Sequence, residues 1–252
     1  MMRFASLGSG SRGNAMVIEA GGTRLLLDCG FGPRQLAQRL ARLGLTPEDL
    51  DGILVTHEHS DHVGGVAAVA GRYRLAVYMT HGTFCASGYA GAVELFDSHT
   101  PFAVGDLEVF PFPVPHDARE PAQFVLSDGD RRCGVLTDAG HVTAHMREML
   151  TGCEALVLEC NHDAEMLARG SYPYPLKQRI AGRFGHLDNE AAAGLLAQLV
   201  HDRLRYVVGA HLSQENNRPE LARQALAQVL GGDAEAIPVA DQDNGFGWLS
   251  LD

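Results

Sequence analysis

Residues 56–62 read Thr56-His57-Glu58-His59-Ser60-Asp61-His62, three imidazoles and a carboxylate within one short stretch. The residues before it, Asp51-Gly52-Ile53-Leu54-Val55, predict a short buried strand, and Val63 to Ala70 predict a small-residue helix. The four polar groups therefore sit on a tight loop at a strand's end. His57 and His59, two apart, can converge on one metal ion, and the adjacent Asp61 and His62 can turn toward a second. Neutral imidazole nitrogens with carboxylate oxygen suit zinc, manganese or iron. The plain alternative is a surface loop that happens to be rich in histidine. The spacing, directly after an apolar strand, favours ligands.

Other groups of this kind also follow strand patterns. Leu25-Leu26-Leu27-Asp28 ends in a carboxylate, and an Asp in that position commonly receives hydrogen bonds from ligating imidazoles. In Phe112-Pro113-Val114-Pro115-His116-Asp117 two prolines stiffen the backbone ahead of His116, and a metal site needs such rigid presentation. The strand Gly134-Val135-Leu136-Thr137 ends at Asp138, which reads either as a carboxylate bridging two metals or as a turn residue. Tyr206 to Ala210 is a strand that delivers His211. His81 and His99 fall in connections and are left out of the site.

The elements around these groups follow from pattern. Residues 3–7, 15–19 and 23–27 predict strands joined by glycine turns. The first turn, 8–14, is either a plain hairpin loop or a rim whose amides and hydroxyls meet a phosphate. Pro33 to Leu43 has helical spacing and stops at Gly44. Strands are expected near 75–79, 93–96, 107–110, 123–127, 132–137 and 156–158, with a helix over 143–150. Pro219 starts a helix to about Leu230. Segments 237–240 and 246–249 read as closing strands.

Between 164 and 186 the pattern breaks, and Ser171-Tyr172-Pro173-Tyr174-Pro175 predicts neither regular helix nor central strand. Residues 171–187 carry Lys177, Arg179 and Arg183 with no acid, interleaved with Tyr172, Tyr174 and Phe184. Charge for phosphates and rings for bases is the chemistry of single-strand binding; a crossover loop packed on the domain is the alternative. His186 then stands just before a helix start, with Asp188 or Asn189 as its cap.

The whole is 252 residues with 46% apolar content and a formal charge of −11. That balance argues against a broad basic nucleic-acid surface, but bound divalent cations reverse the local sign inside a cleft. No apolar run is long enough for a membrane span, and Met1-Met2-Arg3-Phe4 opens into a strand pattern rather than a signal peptide. Five scattered cysteines without framework spacing suggest reduced thiols in a cytoplasm, with Cys29 and Cys160 read as core.

Asp28, the 57–62 cluster, His116, Asp138 and His211 together resemble the five ordered motifs of the metallo-β-lactamase fold, over nearly the whole chain. The resemblance implies one α/β domain over 1–252, a four-layer αββα sandwich with metals at one edge. It implies a first ion on His57, His59 and His116, a second on Asp61, His62 and His211, and Asp138 between them. Leu7-Gly8-Ser9-Gly10-Ser11, Gly13-Asn14, Leu158-Glu159, Asn161-His162-Asp163, Tyr172-Pro173-Tyr174-Pro175-Leu176-Lys177 and His211-Leu212-Ser213-Gln214-Glu215-Asn216-Asn217 resemble the YycJ/WalJ/VicX group. That likeness implies a two-metal phosphodiesterase, a 5′→3′ DNA exonuclease. Gly185-His186-Leu187 resembles the histidine motif of transfer-RNA processing enzymes, which implies a leaving-group acid, although Asp188 replaces the expected Ser or Thr. The roughly 70 residues between Asp138 and His211 leave no room for the inserted domain of RNase J-type nucleases.

The expected reaction is phosphodiester hydrolysis, with Asp61 orienting the attacking water, His186 protonating the leaving oxygen, and Lys177, Arg179, Arg183, Tyr172 and Tyr174 guiding single-stranded DNA. A small-molecule hydrolase acting on thioesters, lactones or cyclic phosphates is the rival within hydrolases. A non-catalytic signalling partner is the rival from another class. A di-iron oxidoreductase on this fold would need a flavin domain for which there is no room.

Overall fold

The computed structural model describes residues 1–252. Thirteen strands form two sheets. The first contains β1 (Met2–Gly8), β2 (Ala15–Ala20), β3 (Thr23–Leu27), β4 (Gly52–Leu54), β5 (Ala76–Thr80), β6 (Glu94–Phe96) and the last strand, β13 (Phe246–Ser250), in the order β13-β1-β2-β3-β4-β5-β6. The second contains β7 (Phe102–Val104), β8 (Leu107–Pro113), β9 (Ala122–Ser127), β10 (Arg132–Leu136), β11 (Ala155–Glu159) and β12 (Tyr206–Ala210), in the order β12-β11-β10-β9-β8-β7. Strands β3 to β6 run parallel, as do β10 to β12; the rest pair antiparallel.

Apolar burial divides into three clusters, which is why there are four layers. The middle one, including Phe4, Ile18, Leu25, Leu107 and Phe124, fills the space between the sheets. An outer cluster packs α1 (Pro33–Ala41) and α3 (Val66–Tyr73) on the first sheet through Leu36, Leu40 and Val69. The other packs α5 (Ala144–Leu150), α8 (Asn189–Leu199) and α9 (Pro219–Leu230) on the second through Met146, Leu195 and Leu226. Parallel strands covered on both faces must be apolar throughout, and Ala155–Glu159 is buried at every position. The fold is the αββα sandwich. No helix is long and apolar enough to cross a membrane.

Several local readings change. The helix expected over 63–70 is two pieces, α2 (Ser60–Val63) and α3, broken at Gly64-Gly65. A Cβ on Gly65 would collide with the Phe31 carbonyl oxygen, so the break lets the loop after β3 close on the loop after β4. Segment 237–240 forms only a bridge from Val239 to Gly209. Strand β7 was not expected; it is three residues long at a sheet edge, too short for a pattern. His81 begins α4 (His81–Ser87).

The main correction lies in 164–186. Two helices occupy it, α6 (Ala164–Arg169) and α7 (Tyr174–Ile180). Pro175 falls in the first turn of α7, where the missing N–H has no intrahelical partner to lose. The prolines that read as breakers mark a helix start.

Candidate metal centre

All the expected donors, and Asp28 that supports them, follow the C-terminal ends of strands: Asp28 after β3, residues 57–62 after β4, His116 after β8, Asp138 after β10, His211 after β12. In α/β sheets that rim is where sites form. Three of these residues take left-handed backbone conformations, Asp28 with φ 58°, Asp138 with φ 52° and His211 with φ 56°. Each such non-glycine residue costs on the order of 1–3 kcal/mol, held by the surrounding structure.

The imidazole tautomers are set from behind. Thr56 Oγ1 lies 2.9 Å from His57 Nδ1 and 3.0 Å from both oxygens of Asp28. His62 Nδ1 meets Asp28 Oδ2 at 2.7 Å. His116 Nδ1 donates to the Gly185 carbonyl at 3.0 Å, and His211 Nδ1 to Glu159 Oε1 at 3.0 Å. With Nδ1–H directed at the protein, the Nε2 lone pairs of His57, His62, His116 and His211 point inward. His59 is reversed. Its Nδ1 lies 3.0 Å from His57 Nε2 and 3.2 Å from His116 Nε2.

The donors fall into overlapping groups: His57 with His59 and His116; Asp61 with His62 and His211; His57 with His62 and Asp138. Within each, the ligand atoms lie within 4.8 Å of one another. Burial, and the neighbouring imidazoles, push the His57 pKa well below its ordinary value. Burial likewise lowers His116 against Asp138. Burial opposes charge on His62 and His211 too, but the facing carboxylates outweigh it. Asp28 and Asp138 raise His62 well above its ordinary value, and Asp138 with Asp61 and Glu159 raise His211 to about 10. Asp138 Oδ2 and His211 Nε2 are buried without a hydrogen-bond partner. The uncharged lone pairs of His57 and His116, the excess of carboxylates facing His62 and His211, and the orphaned Asp138 and His211 atoms fit divalent cations.

Two contributors, Glu159 and Asn14, were given no role in the site from sequence. Glu159 is fully buried at the end of β11. Its Oε1 takes His186 Nδ1 at 2.8 Å as well as His211, and its Oε2 takes the amides of Ala139 and Leu187 at 3.0 and 3.1 Å. Burial works to raise its pKa; His186 and His211 outweigh that and hold it far below the carboxylate range. The signal was an acid closing an all-apolar strand. Asn14, in the 8–14 turn, places Nδ2 3.2 Å from both Asp61 Oδ2 and His62 Nε2. That turn is scaffolding as much as rim, because Ser9 Oγ also accepts the His211 amide.

A cleft of about 340 Å³ opens over these groups, with Ser11, His59, Asp61, Asp138, His186 and His211 on its walls. Tyr172 and Arg179 line it as well. Of the other basic and aromatic residues expected there, Lys177 Nζ donates to the Ala168 carbonyl at 2.7 Å, capping α6. Tyr174 is exposed and accepts from Gln178, and the Arg183 carbonyl accepts from His141. Those three are absent from the cleft lining. Nor is the segment's charge free, since Arg179 Nε pairs with Asp117 Oδ2 at 2.6 Å.

Residues 23–208 match the β-lactamase superfamily domain family. Over 96% of its length the chain is 37% identical to exodeoxyribonuclease YycJ of Bacillus anthracis, 96% of which is covered. It is 36% identical to exodeoxyribonuclease WalJ of Streptococcus pneumoniae, over 90% of this chain and 88% of that one. The chain belongs to the β-lactamase superfamily, in its YycJ/WalJ group. Solved structures agree on the fold. YhfI of Bacillus subtilis superposes with a TM-score of 0.75 at 15% identity, covering 99% of this chain and 100% of that one. Human tRNase Z, short form, superposes at 0.67 with 17% identity, covering 99% of each. As a YycJ/WalJ-group member the chain is a metal-dependent hydrolase, and its His and Asp cluster is the candidate site for divalent metal.

Proposed function

We propose that this chain is a DNA exonuclease using two divalent ions, zinc or manganese with iron as a further option, and acting 5′→3′ on single strands in the cytoplasm. The observation that carries the reading is the cleft itself, with metal donors on its floor and Tyr172 and Arg179 on its wall. The names of the full-length relatives support DNA as substrate, and polarity rests on that likeness alone. Five free thiols, four of them buried, fit a reducing compartment.

His57, His59 and His116 would hold one ion, and Asp61, His62 and His211 the other, with Asp138 shared. Bound there, such ions lower the pKa of water from 15.7 toward about 7 and offset charge on phosphoryl oxygens. The chain's own groups do the rest. Asn14 holds Asp61 at the cleft, and the neighbouring His211 and His62 imidazoles outweigh burial to keep its carboxylate ionised, ready to orient the attacking water. Burial would deprotonate His186, but Glu159 and Asp138 outweigh it and raise its pKa. His186 thus keeps a proton for the leaving 3′-oxygen. Arg179, steadied by Asp117, meets the strand's phosphates, and Tyr172 stacks on a base.

The test is a nuclease assay on end-labelled single- and double-stranded DNA and RNA with several divalent metals, run on wild type and His186→Ala. The expected result is metal-dependent release of nucleotides from single-stranded DNA, with the variant slower by roughly 10² to 10⁴. The deficit should shrink on a nitrophenyl phosphodiester, whose leaving group needs no proton. Hydrolysis of thioesters or cyclic phosphates with none of DNA would favour the small-molecule reading.

A further inference from the structure

A second cavity, of about 370 Å³, lies behind His186, which lines both it and the metal cleft. Its walls include His141, Val142, His162, Asp188 and Leu195. Nothing in the proposed chemistry uses His162, yet its side chain is built in. It is 2% exposed, and a backbone bridge holds residue 162 beside residue 188.

Three polar groups of this cavity, His162, His141 and Asp188, share one character. Asn161 Nδ2 donates to the His211 carbonyl, which turns its Oδ1 toward His162 Nδ1 at 3.3 Å. The His162 proton is therefore on Nδ1. Burial holds the ring's pKa below the ordinary value, so it is neutral, and Nε2 is a lone-pair acceptor without a protein partner. His141 likewise donates from Nδ1, to the Arg183 carbonyl at 2.9 Å, and leaves Nε2 as an acceptor. Asp188 uses one oxygen to cap α8 through the Ala191 amide and leaves the other. The three do not converge as metal ligands do. Three acceptors between the apolar sides of Val142 and Leu195 call for a flat ligand that donates hydrogen bonds at its edge.

We infer that this cavity is a subsite for the base of the nucleotide released, and that it selects bases carrying an exocyclic amine. Cytosine, adenine and guanine offer such a donor, and thymine does not. The inference rests on the phosphodiesterase reading. The nucleotide whose 3′-oxygen takes the His186 proton then has its base on the far side of that imidazole. A site that accepts a hydrogen bond disfavours a substrate that lacks the donor, because an acceptor covered by the base is then left unpaired.

The experiment compares two single-stranded oligonucleotides differing only in the 5′-terminal base, cytosine or 2-pyrimidinone, which lacks the amine. The metal-loaded wild-type enzyme is assayed on both and on bis(4-nitrophenyl) phosphate, which has no base. The cytosine substrate should be released roughly tenfold faster, the value of one hydrogen bond of about 1.4 kcal/mol. In His162→Phe the ratio should fall to near one, and in His162→Gln, which keeps an acceptor, it should largely return. A wild-type ratio near one with all three substrates hydrolysed overturns the subsite and leaves the phosphodiesterase reading standing. A tenfold ratio that survives in His162→Phe overturns it too. Failure to hydrolyse any of the three removes the phosphodiesterase reading and the subsite with it. Should His162→Phe not fold, the wild-type ratio decides alone.

Discussion

Replacing Glu159 by Gln changes one oxygen to an amide nitrogen and nothing in volume. Glu159 accepts four hydrogen bonds, two from imidazoles on Oε1 and two from backbone amides on Oε2. In either orientation Gln presents an NH₂ to two donors. If it faces Ala139 and Leu187, two buried amides lose their acceptor. If it faces the histidines, both rings must move their protons to Nε2, and the His211 lone pair turns from the cleft. Losing two bonds to a buried charge, at about 1.5–3 kcal/mol each, predicts a loss of roughly 3–6 kcal/mol. At about 2–4 °C per kcal/mol for a chain of this size, Tm should fall by roughly 6–24 °C. Affinity for an ion at the proposed Asp61, His62 and His211 set should drop about 10- to 100-fold, while that of the proposed His57, His59 and His116 set is kept. Elemental analysis after graded dialysis and a thermal melt measure both. Unchanged metal content with a Tm shift under about 2 °C would refute the reasoning.

Arg179→Ala should weaken single-stranded DNA binding and reduce the salt slope by about 0.7, one phosphate contact, whereas Lys177→Ala should leave the slope alone because Lys177 caps α6; equal slopes for both variants would contradict the geometry. Chelator-treated protein should lose stability between pH 6.5 and about 10. His211 and His62 have raised pKa values in the folded chain, so their contribution is full below about 6.5 and disappears as pH rises through the folded values. Metal replaces those protons, so the loaded protein should show a flatter melting profile over that range, and a flat profile without metal would contradict the prediction.

That the donors stand at strand ends was legible because an apolar run closing on a polar residue is a local signal. Asp28, Asp138 and His211 each follow such a run directly or by one residue. Glu159 carries the same signal, but its partners are Ala139, His186, Leu187 and His211, a convergence that only the tertiary fold makes. Asn14 was hidden for the same reason. The 171–187 segment was misread because proline has opposite meanings inside a helix and in its first turn. Counting its charges also could not see Asp117, which reaches Arg179 across more than sixty residues of sequence.

The donors are divided between the two sheets, 57–62 on one and His116, Asp138 and His211 on the other. This division has a consequence for timing during synthesis. The first cluster leaves the ribosome early and His211 is the last of the donors to emerge, on the order of ten seconds or more later at ordinary elongation rates. The group His57, His59 and His116 can close once β8 is paired, but the group Asp61, His62 and His211 cannot close until β12 is. A nascent chain emerging among nucleic acids therefore lacks its complete donor cluster until His211 has been made.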